Sequence, residues 1–194
     1  MKNENKLKGR DLINIGVFGA IYFVILFAVA MLGMIPILLP LLSMMVPIVG
    51  GIPFMLFLTK VKKIGMIFIM AMIMGILMLL TGMGPWPLLT CAIAGGLAEI
   101  SLNRGKYKSI KRAILSCGLF SIWIFGNYLP LFTDYEGYFA QRADYGQAYI
   151  DAVSKLMPIW MAPILLIACF VCGILGGFLG QTLLKKHFQK AGIA

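Results

Sequence analysis

The sequence predicts an all-α polytopic membrane protein with six transmembrane helices and both termini in the cytoplasm. Three observations predict it. Of the 194 residues, 61% are hydrophobic and 12% charged, about half the charged share of a soluble domain, and the mean hydropathy is +0.94. The net charge is +10, yet 15 of the 17 Lys and Arg fall in four clusters: Lys2, Lys6, Lys8 and Arg10; Lys60, Lys62 and Lys63; Arg104, Lys106, Lys108, Lys111 and Arg112; Lys185, Lys186 and Lys190. Long apolar stretches separate these clusters. A basic patch on a polar surface would suit nucleic acid, whereas clusters alternating with apolar runs follow the positive-inside rule. The expected surroundings are a cell membrane and its lipid bilayer, with no nucleic-acid partner.

If all four clusters share one side, each interval holds an even number of crossings of about 20 residues. The first interval has 49 residues and the second 40, enough for two spans each. The third has 72, which fits two spans and a loop. After a basic N-terminal segment, 1–11, the spans read as 12–34, 40–59, 64–81, 86–102, 113–132 and 158–184. A basic tail, 185–194, ends the chain. The first apolar run is too long for the core of a cleaved signal peptide. Continuous rather than alternating apolar runs argue against a β-barrel.

The second span opens in a proline-rich stretch with Pro36, Pro40, Pro47 and Pro53, and Gly50 and Gly51 between. Proline removes a backbone donor and kinks a helix. Two readings stand: a kinked packing helix, or a broken helix bordering a binding site. In the third span Met66, Met70, Met74 and Met78 form an i+4 stripe of core-packing character. The sixth carries Gly173 with Gly177 and Gly176 with Gly180, two G-x-x-x-G pairs that let helices approach closely. Four cysteines, Cys91, Cys117, Cys169 and Cys172, lie in apolar runs and read as small hydrophobes.

Segment 133–157 is the one long outer loop. It holds Asp134, Glu136, Asp144 and Asp151, four of the seven acids, with Tyr135, Tyr138, Phe139, Tyr145 and Tyr149. Tyr135, Tyr138, Phe139 and Arg142 fall at i, i+3, i+4 and i+7, so a short amphipathic helix is expected over the outer mouth. It reads either as an interfacial aromatic belt or as a lid whose rings and Arg142 touch a ligand.

Catalytic chemistry is sparse. The single histidine, His187, sits among lysines in the tail. The chain has no H-E-x-x-H zinc motif, G-x-S-x-G elbow or phosphate-binding loop with its lysine. No catalytic residue, metal or cofactor is expected. Glu99 is the one acid well inside a span. It reads as an interfacial group snorkelling toward, or pairing with, the basic cluster that begins at Arg104. The alternative is the coupling group of a stand-alone proton-driven carrier. Gly16, Gly19 and Ala20 form a small patch on helix one, suited to a contact within the bundle or to a partner subunit.

Five blocks carry a resemblance: DLINIGVFGAIYFVILF at 11–27, GGIPFMLFLTKVKK at 50–63, TGMGPWPL at 81–88, GKYK at 105–108 and LKKHFQKAGI at 184–193. Together they resemble the Trep_Strep family of bacterial integral membrane proteins. That family is grouped with the substrate-binding S components of energy-coupling factor (ECF) transporters. The resemblance implies a six-helix S-component-like bundle that captures a small vitamin-like or other micronutrient on the outer face. It implies assembly with a transmembrane coupling protein and two cytoplasmic ATPases. Gly16 and Ala20 would match the small-residue pair by which S components face the coupling protein, with glycine in place of the first alanine. By topology, the implied substrate-binding candidates are Trp86, Asn127, Tyr128, Tyr135, Tyr138, Arg142 and Trp160. Asn127 leads them, because an unpaired amide near the end of an apolar helix is costly. It also has a structural reading, a bond to a neighbouring backbone carbonyl.

Overall fold

A computed structural model describes residues 6–140, 142 and 144–188. Lys2 and Lys190 lie outside the described residues, as do the tail beyond residue 188 and the side chain of His187. The described residues form helices and turns without strands.

Helix α1 (Gly9–Ala30) continues into a 3-10 turn to Met34. Asp11 in its first turn accepts the Lys8 N–H at 2.8 Å, and so answers the positive end of the helix dipole. Lys63 donates to the same carboxylate at 2.6 Å and to the Lys6 carbonyl, pinning the α2–α3 connection to the start of the chain. A second 3-10 turn (Pro36–Leu38) leads to α2 (Leu42–Leu58). Pro36 and Pro40 therefore belong to the connection. Pro47 and Pro53 are buried within a helix that runs through them unbroken. Of the two readings of the proline-rich stretch, the packing helix holds.

Helix α3 (Met66–Leu80) buries Met66, Met70 and Met74 in the core, and half-buried Met78 packs against it. A tight turn joins it to α4 (Trp86–Arg104). Gly82 and Gly84 there have φ of +81° and +78°, a region that glycine enters without steric cost. Helix α5 (Ile110–Ser121) begins at Ser109, whose hydroxyl accepts the Arg112 N–H.

The sequence leads one to expect a single helix over 113–132. The chain instead forms α5, a 3-10 stretch (Ile122–Asn127) and a short α6 (Leu129–Thr133). Three causes fit this break. Ser121 Oγ donates back to the Cys117 carbonyl at 2.9 Å, a bond that bends helices. Thr90 Oγ1 of α4 donates to the Trp123 carbonyl at 3.0 Å. Pro130 has no N–H to continue the ladder. Gly126 also lies so close to Thr90 and Pro87 that a Cβ would collide with them.

Segment 133–157 contains two helices, α7 (Tyr135–Ala140) and α8 (Gln147–Leu156). The expected short helix exists but ends before Arg142, whose side chain folds back instead of completing a helical face. Helix α8 was not foreseen. Its signal is the spacing of Tyr149, Ile150, Val153 and Met157, with Val153 fully buried.

Helix α9 (Met161–Leu183) closes the bundle. Its glycine pairs face two different neighbours. A Cβ on Gly176 would strike the Pro47 carbonyl of α2, and one on Gly180 would lie 2.7 Å from the Gly51 carbonyl. Gly51 is in turn closed against the Gly176 backbone. A Cβ on Gly173 would sit 2.5 Å from Ser121 Oγ of α5, and one on Gly177 3.2 Å from Cys117 Cβ. The core is built around these seams from Tyr22, Phe54, Phe57, Phe120, Ile67 and Met70. All four cysteines are free and buried.

Gly9–Met34 and Met161–Lys186 are long and apolar enough to cross a membrane. Helices α2 and α3 are apolar but have 17 and 15 residues.

Candidate functional site

The end of the bundle opposite the basic clusters is covered by α7 and α8, and an aromatic group holds the two together. Phe139 is its hub. It packs at centroid distances of 4.8 Å from Tyr135, 5.0 Å from Tyr138, 6.1 Å from Tyr145 and 6.3 Å from Tyr149. Tyr145 and Tyr149, one helical turn apart in sequence, stack at 4.5 Å. The tilted and edge-on arrangements are those that ring quadrupoles favour.

Hydroxyls and one guanidinium fasten this cap to the chain around it. Tyr149 Oη donates to the Gly33 carbonyl at 2.6 Å, and Tyr128 Oη to the Leu39 carbonyl at 3.0 Å. Both acceptors lie at the α1–α2 connection, where the helical ladder is broken and carbonyls need partners. Tyr135 Oη donates to the Ile150 carbonyl at 2.6 Å, tying α7 to α8. Arg142 donates from Nη1 to the Tyr138 carbonyl at 2.8 Å and from Nη2 to the Gly82 carbonyl at 2.7 Å. Its guanidinium carbon lies 3.9 Å from the Tyr138 ring centroid, a cation–π contact. Burial raises the phenol pKa of Tyr135, Tyr138 and Tyr149 further above the usual value, so all three are neutral at physiological pH.

The structure thus brings together Tyr135, Tyr138 and Arg142 among the expected residues, and Tyr128, buried between the 3-10 stretch and α6, reaches the α1–α2 connection with its hydroxyl. Trp86, at the start of α4, and Trp160, just before α9, are exposed at 36% and 61% and pair with no ring among the described residues. Asn127 ends the 3-10 stretch. Its Nδ2 donates to the Ile124 carbonyl at 3.1 Å, the structural role open to it. Its Oδ1 is buried and has no hydrogen-bond partner among the described residues. A buried acceptor left unpaired costs about 1–3 kcal/mol, and among the described residues this atom is the one unpaired buried side-chain acceptor at the capped end. Sequence reasoning did not single out Phe139, Tyr145 or Tyr149 as site residues. The i, i+4 spacing of the two tyrosines was the available signal.

At the basic end, Glu99 is buried rather than snorkelling, and its partner in the basic loop is the Tyr107 hydroxyl rather than Arg104. It is 5% exposed and reaches across to the first turn of α3. Oε2 accepts the N–H of Ile67 at 2.8 Å and of Phe68 at 3.3 Å, and Oε1 accepts the Tyr107 hydroxyl at 3.0 Å. Gly65, which precedes α3, has no side chain to cap it. Glu99 supplies the missing cap from another helix, with a charge that suits the helix N-terminus. Burial, reinforced by the carboxylate, raises the Tyr107 pKa, so the phenol stays protonated as the donor.

The small patch on α1 divides. Gly19 is buried, with Met74 Cε 3.6 Å from where a Cβ would stand. Gly16 and Ala20 are exposed, and nothing lies within 4 Å of a Cβ on Gly16. Around them Ile13, Val17, Val24 and Phe27 are between 49% and 65% exposed, an apolar strip that water would penalise and lipid or a partner helix would not.

No curated protein and no solved structure matches the chain. Residues 9–190 match a family described as "Hypothetical bacterial integral membrane protein (Trep_Strep)". The exposed apolar strip on α1 and the buried glycine seams are features of such a protein. With nearly its whole length matched, the chain belongs to the Trep_Strep family of bacterial integral membrane proteins.

Proposed function

We propose that this protein is the substrate-capture subunit of an ECF-type importer. It takes a small, ring-containing micronutrient at the capped end and passes it inward with a coupling protein and two ATPases. The observation that carries the reading is the cap itself: neutral tyrosines and one arginine gathered over one end of an apolar bundle, with the unpaired Asn127 Oδ1 at the same end. Ring faces and a free acceptor suit a flat ligand bearing an N–H donor. The bonds that hold the cap are single and mostly uncharged, each worth about 1 kcal/mol, so the cap can exchange them for bonds to a ligand.

In this reading the bundle crosses the membrane six times, through α1, α2, α3, α4, α5 with its 3-10 extension, and α9. Twelve α-helical residues and six 3-10 residues rise about 30 Å together, so the break in α5 does not shorten that crossing. The basic end, with both termini, faces the cytoplasm. The open strip around Gly16 and Ala20 receives the coupling protein. A proton-driven carrier would rely on Glu99, which is already engaged in capping α3.

Co-purification and uptake test the proposal together. The wild-type protein is expected to pull down a coupling protein and two ATPases and to support their ATP-dependent uptake. Gly16→Leu with Ala20→Leu is expected to abolish both while the purified variant still binds ligand. Intact complex formation in that variant would refute the docking assignment. Uptake by the single chain in liposomes, lost in Glu99→Gln, would favour the carrier.

A further inference from the structure

At the basic end, the closing ends of α2, α4 and α9 and the start of α5 surround a hollow of ≈ 310 Å³. Its floor is apolar, with Leu58, Leu102, Ile110, Ala113 and Leu184 among its lining. Its rim carries Lys108, Ser109, Gln181 and Lys185. Neither lysine side chain has an ion pair or hydrogen bond among the described residues. Lys63, by contrast, is paired with Asp11. Among the described residues, the acids at this end are engaged elsewhere: Glu99 with α3 and Tyr107, Asp11 with Lys63.

The turn that presents the rim is held in an uncommon conformation. Lys106 and Tyr107 have φ of +50° and +57°, which non-glycine residues rarely adopt. The bond from Tyr107 to Glu99 anchors this turn, so Lys108 and Ser109 are fixed beside the hollow. Three residues on from Lys108, Lys111 stands at the basic end of a second groove of ≈ 370 Å³ between α5 and α9. Ile114, Leu115, Ile174 and Phe178 wall that groove. Two apolar channels therefore flank the first turns of α5, each with a lysine at its basic end.

We propose that this end of the bundle is a binding site for an anionic diacyl phospholipid. Its phosphate lies among Lys108, Lys111 and Lys185, and its chains enter the two channels. Uncompensated positive charge above an apolar floor complements a head group that is negative above its chains. Basic recesses between helices at this depth are typical anionic-lipid sites. A lipid is favoured over a polypeptide because it surrounds the bundle at all times and needs no recruitment. The inference rests on membership of a membrane family and on the placement of the basic end at a bilayer surface, and not on the transport role.

Native mass spectrometry of the purified full-length protein tests it, using phosphatidylglycerol, phosphatidylcholine and glycerol phosphate as probes. Phosphatidylglycerol is expected to be retained at least about tenfold better than phosphatidylcholine. Retention should fall at least about tenfold in Lys108→Gln/Lys111→Gln/Lys185→Gln, and less than about twofold in Lys8→Gln/Arg10→Gln/Lys62→Gln, which loses the same charge elsewhere. Ala113→Trp, which fills the hollow without changing charge, should also expel the lipid. Equal retention of phosphatidylcholine, equal loss in the control triple variant, or displacement by glycerol phosphate alone would overturn the proposal. So would a co-purifying polypeptide that shields Lys108 and Lys185 from acetylation in lipid-free protein. Because lipid retention is read without partners or substrate, failure here is separable from failure of the importer assignment.

Discussion

The α2–α9 seam and the aromatic cap are both tight, but they are tight in different ways. In the seam, backbone lies on backbone: Gly51 and Gly176 leave no room for a Cβ, and Gly180 abuts the Gly51 carbonyl. Nothing there can rotate out of the way. In the cap, contacts are made by the far ends of side chains, three phenol hydroxyls and a guanidinium, each reaching a backbone carbonyl. Such groups can let go singly and find other partners. The difference assigns constancy to the middle of the bundle and adaptability to one end.

Substitutions can break or sharpen that contrast. The largest effect is expected from Gly176→Leu, which drives a branched side chain into the Pro47 carbonyl. Overpacking usually costs about 1–3 kcal/mol, and an unyielding backbone neighbour puts this case at or beyond the upper end. Loss of folded protein on detergent size exclusion, with a strongly lowered Tm, would register it. Tolerance of Leu at this position would show that the seam is not rigid.

Glu99→Gln comes next. It removes the buried charge and turns one of the two acceptor oxygens into an NH2 donor, so the α3 N–H groups and the Tyr107 hydroxyl can no longer both be served, and a hydrogen bond to a charged group contributes about 1.5–3 kcal/mol. The Tm should fall, and amide exchange should rise at Ile67 and Phe68 without rising across the cap. Tyr149→Phe should cost only about 1 kcal/mol. Its signature is local: faster exchange in the α1–α2 connection near Gly33, with the seam unaffected. If its loss instead loosened α2 and α9, the cap and seam would form one cooperative unit. The smallest effect on folding belongs to Gly16→Leu, within about 0.5 kcal/mol as for other surface changes. Thermal unfolding of the isolated protein checks it.

Much of this was legible in the sequence, for identifiable reasons. Helices α1 to α4 and α9 lie where apolar runs end at glycine, proline or lysine, because those residues act locally. The Met66–Met74 stripe entered the core as its spacing required. What stayed hidden depends on residues distant in the chain. The stretch Ile122–Asn127 opens with Ile, Trp, Ile and Phe as an apolar helix would, and one cause of its 3-10 form is a hydroxyl from distant Thr90. The role of Glu99 depends on two N–H groups 31 and 32 residues away, which no local pattern reports. At the candidate site, the tyrosines were visible as a cluster, but their acceptors at Gly33 and Leu39 were not, since a carbonyl left free by a chain break has no signature in residue type.

The two glycine pairs of α9 have one more consequence. At about 100° per residue, Gly173 and Gly176 point roughly 60° apart, so the helix is keyed to α2 and α5 at once. Turning α9 about its own axis to ease one contact would jam the other. An axle so keyed cannot spin between its neighbours. Any large displacement of this protein in the bilayer must therefore carry α2, α5 and α9 together as a single block, and whatever yields must yield at the edges of that block.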